Sequence, residues 1–365
     1  MTVLEQHFPT KGWRTSTPEA QGLDSSALAA LDAEFSLRQH GFVNSMLVVK
    51  NGYLVFERSY AHDTAPLSEG RGGLFDYHDP DWHPWYGTTD LHTLQSVTKS
   101  VTSALIGVAI ERGSLPGVDL ELLPFFDEFS LPDSDPRRAA ITLRDALTMT
   151  TGIRWDESDS YTDPANLCAA MEQSEDWIQF VLDQPMAEAP GKTFFYNSGA
   201  TILLSHIIHK ATGMQADEFA AKHLYKPLGI ERYFWKRTPT GLADTEGGLY
   251  LTPRDLAKIG LLYLRDGIWD EQRILPEGWV AESTSPLFST ESDGMPDRRY
   301  GYSWWLLPHS SARESWVIGA IGYGEQRLLI LPDEDLLAVF TGWNIDLPGL
   351  NSQQLLERLL NAIGD

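Results

Sequence analysis

The sequence predicts an α+β fold: one antiparallel sheet built from both ends of the chain, flanked by helices and interrupted by an all-helical insertion. Three observations carry this reading. Apolar runs at 46–49 and 53–56 flank Asn51-Gly52, the favoured pair for a tight hairpin turn. Four further strand-like runs come only after residue 300, at 302–307, 315–318, 327–331 and 336–341. Between these two sets the apolar residues recur at helical spacing.

In chain order, residues 23–37 carry Leu23, Leu28, Leu31 and Phe35 on one helical face, with Asp24 or Ser25 as N-cap. The hairpin follows. Residues 68–90 are rich in Gly, Asp, His, Pro and aromatics without any period, which reads as a long loop, a lid or insertion. Residues 96–112 form one helix, ended near Gly113. Helices are predicted at 143–149, 175–182, 198–212 and 216–224, and a strand-like aromatic stretch at 191–198. Residues 252–265 give a strong helix capped by Thr252, with Pro253 at its first position. Pro332-Asp333-Glu334-Asp335 is a turn between the last two strands, and 351–363 closes the chain as an amphipathic helix. The expected division is a discontinuous sheet domain (1–100 and 240–365), a helical domain (101–239), and an active site between them.

Composition narrows the function. Acidic residues outnumber basic ones, and 28 − 51 gives a formal charge of −23. No Lys/Arg-rich run is present, so nucleic acid and anionic membrane are excluded as main partners. A single cysteine, Cys168, excludes a disulfide framework and reads as a buried small hydrophobe. Neither a signal peptide over 1–34 nor an apolar run of about 20 residues is found, so a cytoplasmic protein is expected.

The chemistry centres on Ser96-Val97-Thr98-Lys99 at a helix start. Positions i and i+3 share a helical face, so the hydroxyl and the amine can meet. A helix N-terminus favours an oxyanion near Ser96 and disfavours an ammonium at Lys99, which predicts a lysine held below its ordinary pKa. A serine needs such a base. Tyr196, at the junction of the aromatic stretch and the helix from Ser198, can turn its phenol into a cleft. Near a lysine cation it would ionise more easily and act as a second base. Taken singly, the Ser-Lys pair also fits a solvated helix face, and Tyr196 a satisfied core tyrosine.

Four stretches in order make the chain resemble the serine β-lactamase-like superfamily, which includes class C β-lactamases, DD-peptidases, family VIII esterases and 6-aminohexanoate-dimer hydrolases. They are Leu94-Gln95-Ser96-Val97-Thr98-Lys99-Ser100; Leu147-Thr148-Met149-Thr150-Thr151-Gly152-Ile153; Pro190-Gly191 through Tyr196 to Gly199; and Gly247-Gly248-Leu249 through Thr252 to Ala257. Within that group, β-lactamases carry Asn where this chain has Ser198, and Lys-Thr-Gly on a late strand. Here that strand reads Gly319-Ala320-Ile321-Gly322-Tyr323-Gly324-Glu325-Gln326, with no lysine to hold a carboxylate. The resemblance leans instead toward the esterase and amide-dimer hydrolase branch. Residues 152–163, with Trp155, Asp156 and Tyr161, resemble its substrate-side loop.

The resemblance implies a Ser96 acyl-enzyme, with Lys99 and Tyr196 moving protons and Tyr196 activating the deacylating water. It implies an oxyanion hole from the Ser96 N–H and the N–H after the late-strand glycine. That donor is Tyr323 if the glycine is Gly322, and Ala320 if it is Gly319; Tyr323 is favoured. Tyr161, Ser198, Ile321 and Gly322 are the expected substrate-binding residues. No metal or organic cofactor is implied. A small-molecule substrate, neutral or cationic, is expected. The alternatives are a β-lactamase or DD-peptidase and, outside enzymes, a non-catalytic penicillin-recognising scaffold.

Other candidates are weaker. His78, Asp79, Asp81 and His83 crowd one loop but match no metal-ligand spacing. His206 and His209 at i, i+3 lack a third ligand and read as a polar edge. Trp82, Trp85, Trp304, Trp305 and Trp343 are candidates for an aromatic pocket. With no G-x-S-x-G elbow, a Ser-His-Asp hydrolase is disfavoured.

Overall fold

The computed structural model describes residues 7–62, 90–131, 135–161, 163–310, 313–345 and 349–363. The loop of 68–90, with His78, Asp79, Asp81, His83, Trp82 and Trp85, lies outside them apart from Asp90.

Helix α1 (Ser25–Ser36) starts at Asp24, whose carboxylate accepts from Ser26 N. Strands β1 (Val43–Lys50) and β2 (Tyr53–Ser59) follow as a hairpin. Asn51 and Gly52 both take positive φ, 53° and 78°, as the tight turn requires. Helix α2 (Val97–Glu111) opens the helical region, which continues through α3 (Leu143–Leu147), α4 (Leu167–Glu172), α5 (Trp177–Asp183) and α6 (Ser198–Thr212). Helix α7 (Pro253–Leu264) returns the chain to the sheet. Six strands complete that sheet: β3 (Phe288–Thr290), β4 (Met295–Tyr300), β5 (Trp305–Ser310), β6 (Arg313–Gly322), β7 (Gln326–Leu331) and β8 (Leu336–Gly342). Helix α8 (Ser352–Asn361) is last.

The sheet is antiparallel, in the order β2-β1-β8-β7-β6-β5-β4-β3. The N-terminal hairpin joins the C-terminal strands through β1 and β8, in the register Met46↔Phe340 and Lys50↔Leu336. The expected α+β architecture is therefore present. Side chains alternate between two covered faces. Leu337, Val339, Leu328 and Ile330 belong to the core shared with α2 and α7; Ala338, Phe340, Leu329 and Leu331 belong to the core under α1 and α8. Burial on both sides explains the continuous apolar runs of 328–331 in β7 and 336–340 in β8. Helix α7 approaches β7 closely at Gly260, where a Cβ would lie 2.8 Å from Leu328 Cδ1.

Some expectations need correction. The 191–198 stretch is no strand. Its backbone bonds leave the segment, from Phe195 N to Met149 O (3.0 Å) and from Tyr196 N to the Asp293 carboxylate (3.0 Å). Strands β3 and β4 and helix α4 were not anticipated. The helix expected at 216–224 stops at Ala220 and passes into a wider π turn. His206 is no polar edge: it is buried, its Nε2 is 2.9 Å from Phe125 O, and its ring stacks on Phe126. Trp304 and Trp343 are fully buried, whereas Trp305 reaches a cleft. Among the described residues no helix is long and apolar enough to cross a membrane.

Candidate active site

Helix α2 is buried on nearly every side, so each of its polar side chains needs a partner inside the protein. Ser100 Oγ donates to Ser303 O (2.6 Å), Thr102 Oγ1 donates to Thr245 O (3.0 Å), and Thr98 Oγ1 accepts from Leu249 N (3.2 Å). These bonds fix the helix in rotation and height against residues 245–249 and 303. They fix the position of Ser96, its half-buried N-cap. Gln95 just before it holds φ at +47°, a left-handed conformation costing about 1–3 kcal/mol and characteristic of functional turns.

Lys99, 1% exposed, points back along the helix as the i, i+3 spacing predicts. Its Nζ donates to Ser96 Oγ (2.9 Å), to Glu246 O (2.8 Å) and to Glu246 Oε2 (3.0 Å). It also lies 5.3 Å from the centre of the Tyr196 ring, which stacks on Trp305. The expected low lysine pKa is not what this environment produces. Burial alone would lower it, but Tyr196, Glu246 and Glu157 outweigh burial and hold Lys99 well above the ordinary value. Tyr196 also departs from expectation: burial pushes its phenol up to about 12, against the opposing pull of Lys99 and the Ser96 side chain.

Asn197 caps α6 by accepting from Ala200 N (2.8 Å), which sets Tyr196 and Ser198 on either side of the helix start. Ser198 itself is buried. Its N–H and its hydroxyl both donate to the Glu157 carboxylate at 3.0 Å. Trp155 Nε1 (2.6 Å) and Tyr161 OH (3.3 Å) donate to the same group. Ser198 and Tyr161 thus meet at Glu157, which is itself one of the residues lining a cleft. Burial raises the Glu157 pKa to about 7, although Lys99 pulls it down.

The late strand arrives from the other side. A Cβ on Gly322 would lie 2.4 Å from Leu94 O, so the end of β6 presses against the turn that carries Ser96. On Gly319 a Cβ would meet only side-chain carbons, at 3.5 Å or more. Pairing with β5 stops at Gly319, leaving residues 320–322 past its last rung. Ile321 packs in the cluster of Phe194, Tyr300 and Trp305 that also holds Tyr196, and Tyr323 packs tilted at 52° against Tyr161 with ring centres 5.1 Å apart. The buried Gln326 amide buckles this turn to β8, donating to Tyr323 O (3.2 Å) and Gly342 O (2.6 Å).

Ser96, Lys99, Tyr196, Tyr161, Ser198, Ile321, Gly322 and Tyr323 are therefore linked by short contacts into one neighbourhood, and Tyr196 opens from it onto a cleft of about 590 Å³. Its walls include Trp155, Phe195 and Trp305, and three carboxylates, Asp156, Glu157 and Asp293, with no Lys or Arg among the lining residues. Sequence reasoning missed Glu157, Asp293 and Glu246. Glu246 could have been noticed, since it immediately precedes the Gly247-Gly248 pair. Behind it, Cys168, Glu172 and Glu246 bring one possible metal-ligand atom each within 4.8 Å of one another. The cation on that cluster is Lys99, bound to the Glu246 carboxylate.

The family model described as Beta-lactamase matches residues 39–342. A 6-aminohexanoate-dimer hydrolase from Paenarthrobacter ureafaciens is 25% identical over 273 residues, covering 70% of this chain. A Salmonella agona protein, provisionally named a D-alanyl-D-alanine carboxypeptidase, is 24% identical over 243 residues, 64% of this chain. The chain spans 66% and 54% of the lengths of these two relatives. A family VIII carboxylesterase structure superposes with TM-score 0.69 at 13% identity, over 96% of this chain and 98% of the other. The hydrolase EstCE1 gives TM-score 0.69 at 15% identity, over 93% and 99%.

Proposed function

Because the chain belongs to the beta-lactamase family, we propose that it is a serine hydrolase that cleaves a small ester or amide through an acyl-enzyme on Ser96. The observation that carries this is the part-buried 2.9 Å contact of Lys99 Nζ with Ser96 Oγ at a helix N-terminus, with the Tyr196 ring 5.3 Å from Nζ. Ser96 attacks the carbonyl as its proton passes to Lys99 in its neutral amine form, or to Tyr196 as the phenolate, so the base form must first arise by loss of a proton to solvent. The oxyanion is held by the Ser96 N–H and the Tyr323 N–H; the approach of Gly322 to Leu94 supports Tyr323 over Ala320. The proton then goes to the leaving group, and Tyr196 directs the water that releases the acyl group. Labelling by a fluorophosphonate probe tests the assignment: wild type should react and Ser96→Ala should not. Equal labelling of the two sinks it.

The substrate reading is neutral or cationic. Asp156, Glu157 and Asp293 line the cleft without a basic counterpart, and the chain carries a formal charge of −23. A β-lactam or peptide carboxylate would meet repulsion there. Turnover of a chromogenic cephalosporin above that of short p-nitrophenyl esters would favour the β-lactamase alternative instead.

Glu157 gives this reading a pH signature. With its pKa raised to about 7, the carboxyl is neutral below that pH and anionic above it. Preference for an ester bearing an ammonium over its neutral isostere should therefore rise as pH passes through 7. About 1 kcal/mol of added attraction corresponds to about a fivefold change in the kcat/KM ratio. A ratio flat from pH 5.5 to 8.5 removes Glu157 from substrate selection.

A further inference from the structure

Three hydrogen bonds leave the Lys99 ammonium, and two of them end on one residue. Glu246 accepts through its backbone O at 2.8 Å and its Oε2 at 3.0 Å. Its place is fixed by a tight turn, in which Asp244 Oδ1 accepts from Glu246 N (3.1 Å) and Gly247 N (3.0 Å). A Cβ at Gly248 would fall 2.6 Å from Asp244 Cβ, so the turn closes only on glycine. Behind Glu246, at the end of α4, lies Glu172, which hydrogen bonds to it.

This clasp suits both protonation states of the lysine. As an ammonium, Lys99 has three N–H donors and three acceptors: Ser96 Oγ, Glu246 O and Glu246 Oε2. As an amine it keeps two N–H groups for Glu246, and its lone pair can accept the Ser96 hydroxyl proton. No donor is stranded in either state. The choice between them is then electrostatic, and the nearest full charge is the Glu246 carboxylate, buried with Lys99. We propose that Glu246, backed by Glu172, is the positioning residue that aims Lys99 at Ser96 and sets the pH at which the ammonium becomes a base.

The other groups acting on Lys99 are Tyr196, Glu157, Cys168 and Asp244, with Tyr300 beyond Tyr196; those acting on Glu246 are Glu172, Asp244, Lys236, Glu157, Cys168 and Tyr161. Of the carboxylates only Glu246 bonds to Nζ among the described residues. Burial would raise the Glu246 carboxyl, but Lys99 and the Glu172 hydrogen bond hold it below the ordinary value, so it stays anionic. Burial drives Glu172 far the other way, which leaves it the neutral, donating partner.

The inference rests on Ser96 as nucleophile, and the rate of fluorophosphonate labelling against pH tests it without knowledge of the natural substrate. Wild-type labelling should keep rising through pH 9. In Glu246→Gln, which keeps the shape and an acceptor oxygen, the acid limb should move about 1–3 pH units lower, the size expected for loss of an opposite charge at this range. Glu246→Asp, which restores the charge, should bring the limb back toward wild type; a merely structural role would leave both variants alike. An unmoved limb in Glu246→Gln overturns the proposal. So does a wild-type plateau reached below pH 7, a result that needs no variant to fold. Labelling that survives Ser96→Ala would instead overturn the nucleophile assignment, so the two failures are distinguishable.

Discussion

Lys99→Ala is expected to lower kcat/KM for p-nitrophenyl esters by about 10²–10⁴-fold, the range for loss of a positioned proton-transfer group. It should also destabilise the protein, for a separate reason. Glu246 would lose its cation in a site where the pair is almost wholly buried. Stranding one partner of such a pair costs about 3–5 kcal/mol, and less if the carboxyl takes up a proton. The two losses come apart in Lys99→Ala/Glu246→Gln. Removing the stranded charge should restore much of the thermal stability while activity stays lost. A double variant as unstable as the single one would show that charge stranding is not the cause. Near-normal turnover in Lys99→Ala would remove its role as a base.

Gly322→Ala is the second large effect expected. The new methyl would lie 2.4 Å from Leu94 O, and neither atom sits on a flexible side chain. Either the end of β6 or the turn through Gln95 to Ser96 has to move. Displacement of about 1 Å in a reacting geometry can cost about 10²-fold in rate, while overpacking of this kind costs about 1–3 kcal/mol. A fall in kcat well beyond what the melting temperature suggests is the expected signature. Gly319→Ala is the matching comparison, since its methyl would meet only side-chain carbons at 3.5 Å or more. If Gly319→Ala is the more damaging variant, the oxyanion donor belongs at Ala320 rather than Tyr323.

The sequence made the central elements legible because their burial is regular. Helices α6 and α7 carry side-chain N-caps in Asn197 and Thr252, α2 shows itself by its apolar spacing, and α6 runs over the expected 198–212. Strands β7 and β8 are apolar on both faces, so the reading differed from the structure by one residue at most. Strands β3 and β4 lie at the far edge of the sheet and carry Ser289, Asp297, Arg298 and Arg299, which hide the alternation. The 191–198 stretch looked like a strand because it is aromatic, but its backbone partners are a distant carbonyl and a carboxylate, which no local pattern reveals.

At the site, Ser96, Lys99 and Tyr196 stand out because their spacing and order are unusual. Glu157, Glu246 and Asp293 do not, because each is one acid among 51 and long-range packing brings them together. The error over Lys99 follows directly. A helix N-terminus pushes an ammonium toward neutrality, but it contributes only partial charge. Tyr196, Glu246 and Glu157 together prevail, and the Glu246 carboxylate, 3.0 Å away, lies 147 positions further along the chain.

The seam between β1 and β8 bears on how the molecule is made. As the ribosome works from the amino end, β1 and β2 emerge early, whereas the partner of β1 begins at Leu336. From Lys50 to Leu336 is 336 − 50 = 286 residues. At about 5–20 residues per second the hairpin waits about 15–60 s with one edge bare. Its Met46, Leu47, Val48 and Val49, all fully buried at the end, make that edge adhesive to other nascent chains meanwhile. Tyr323 also emerges late, so a polypeptide released early would carry the Ser-Lys pair but only one side of its cleft. Yield in rapid overexpression should therefore depend on chaperone supply more than on the stability of the finished fold.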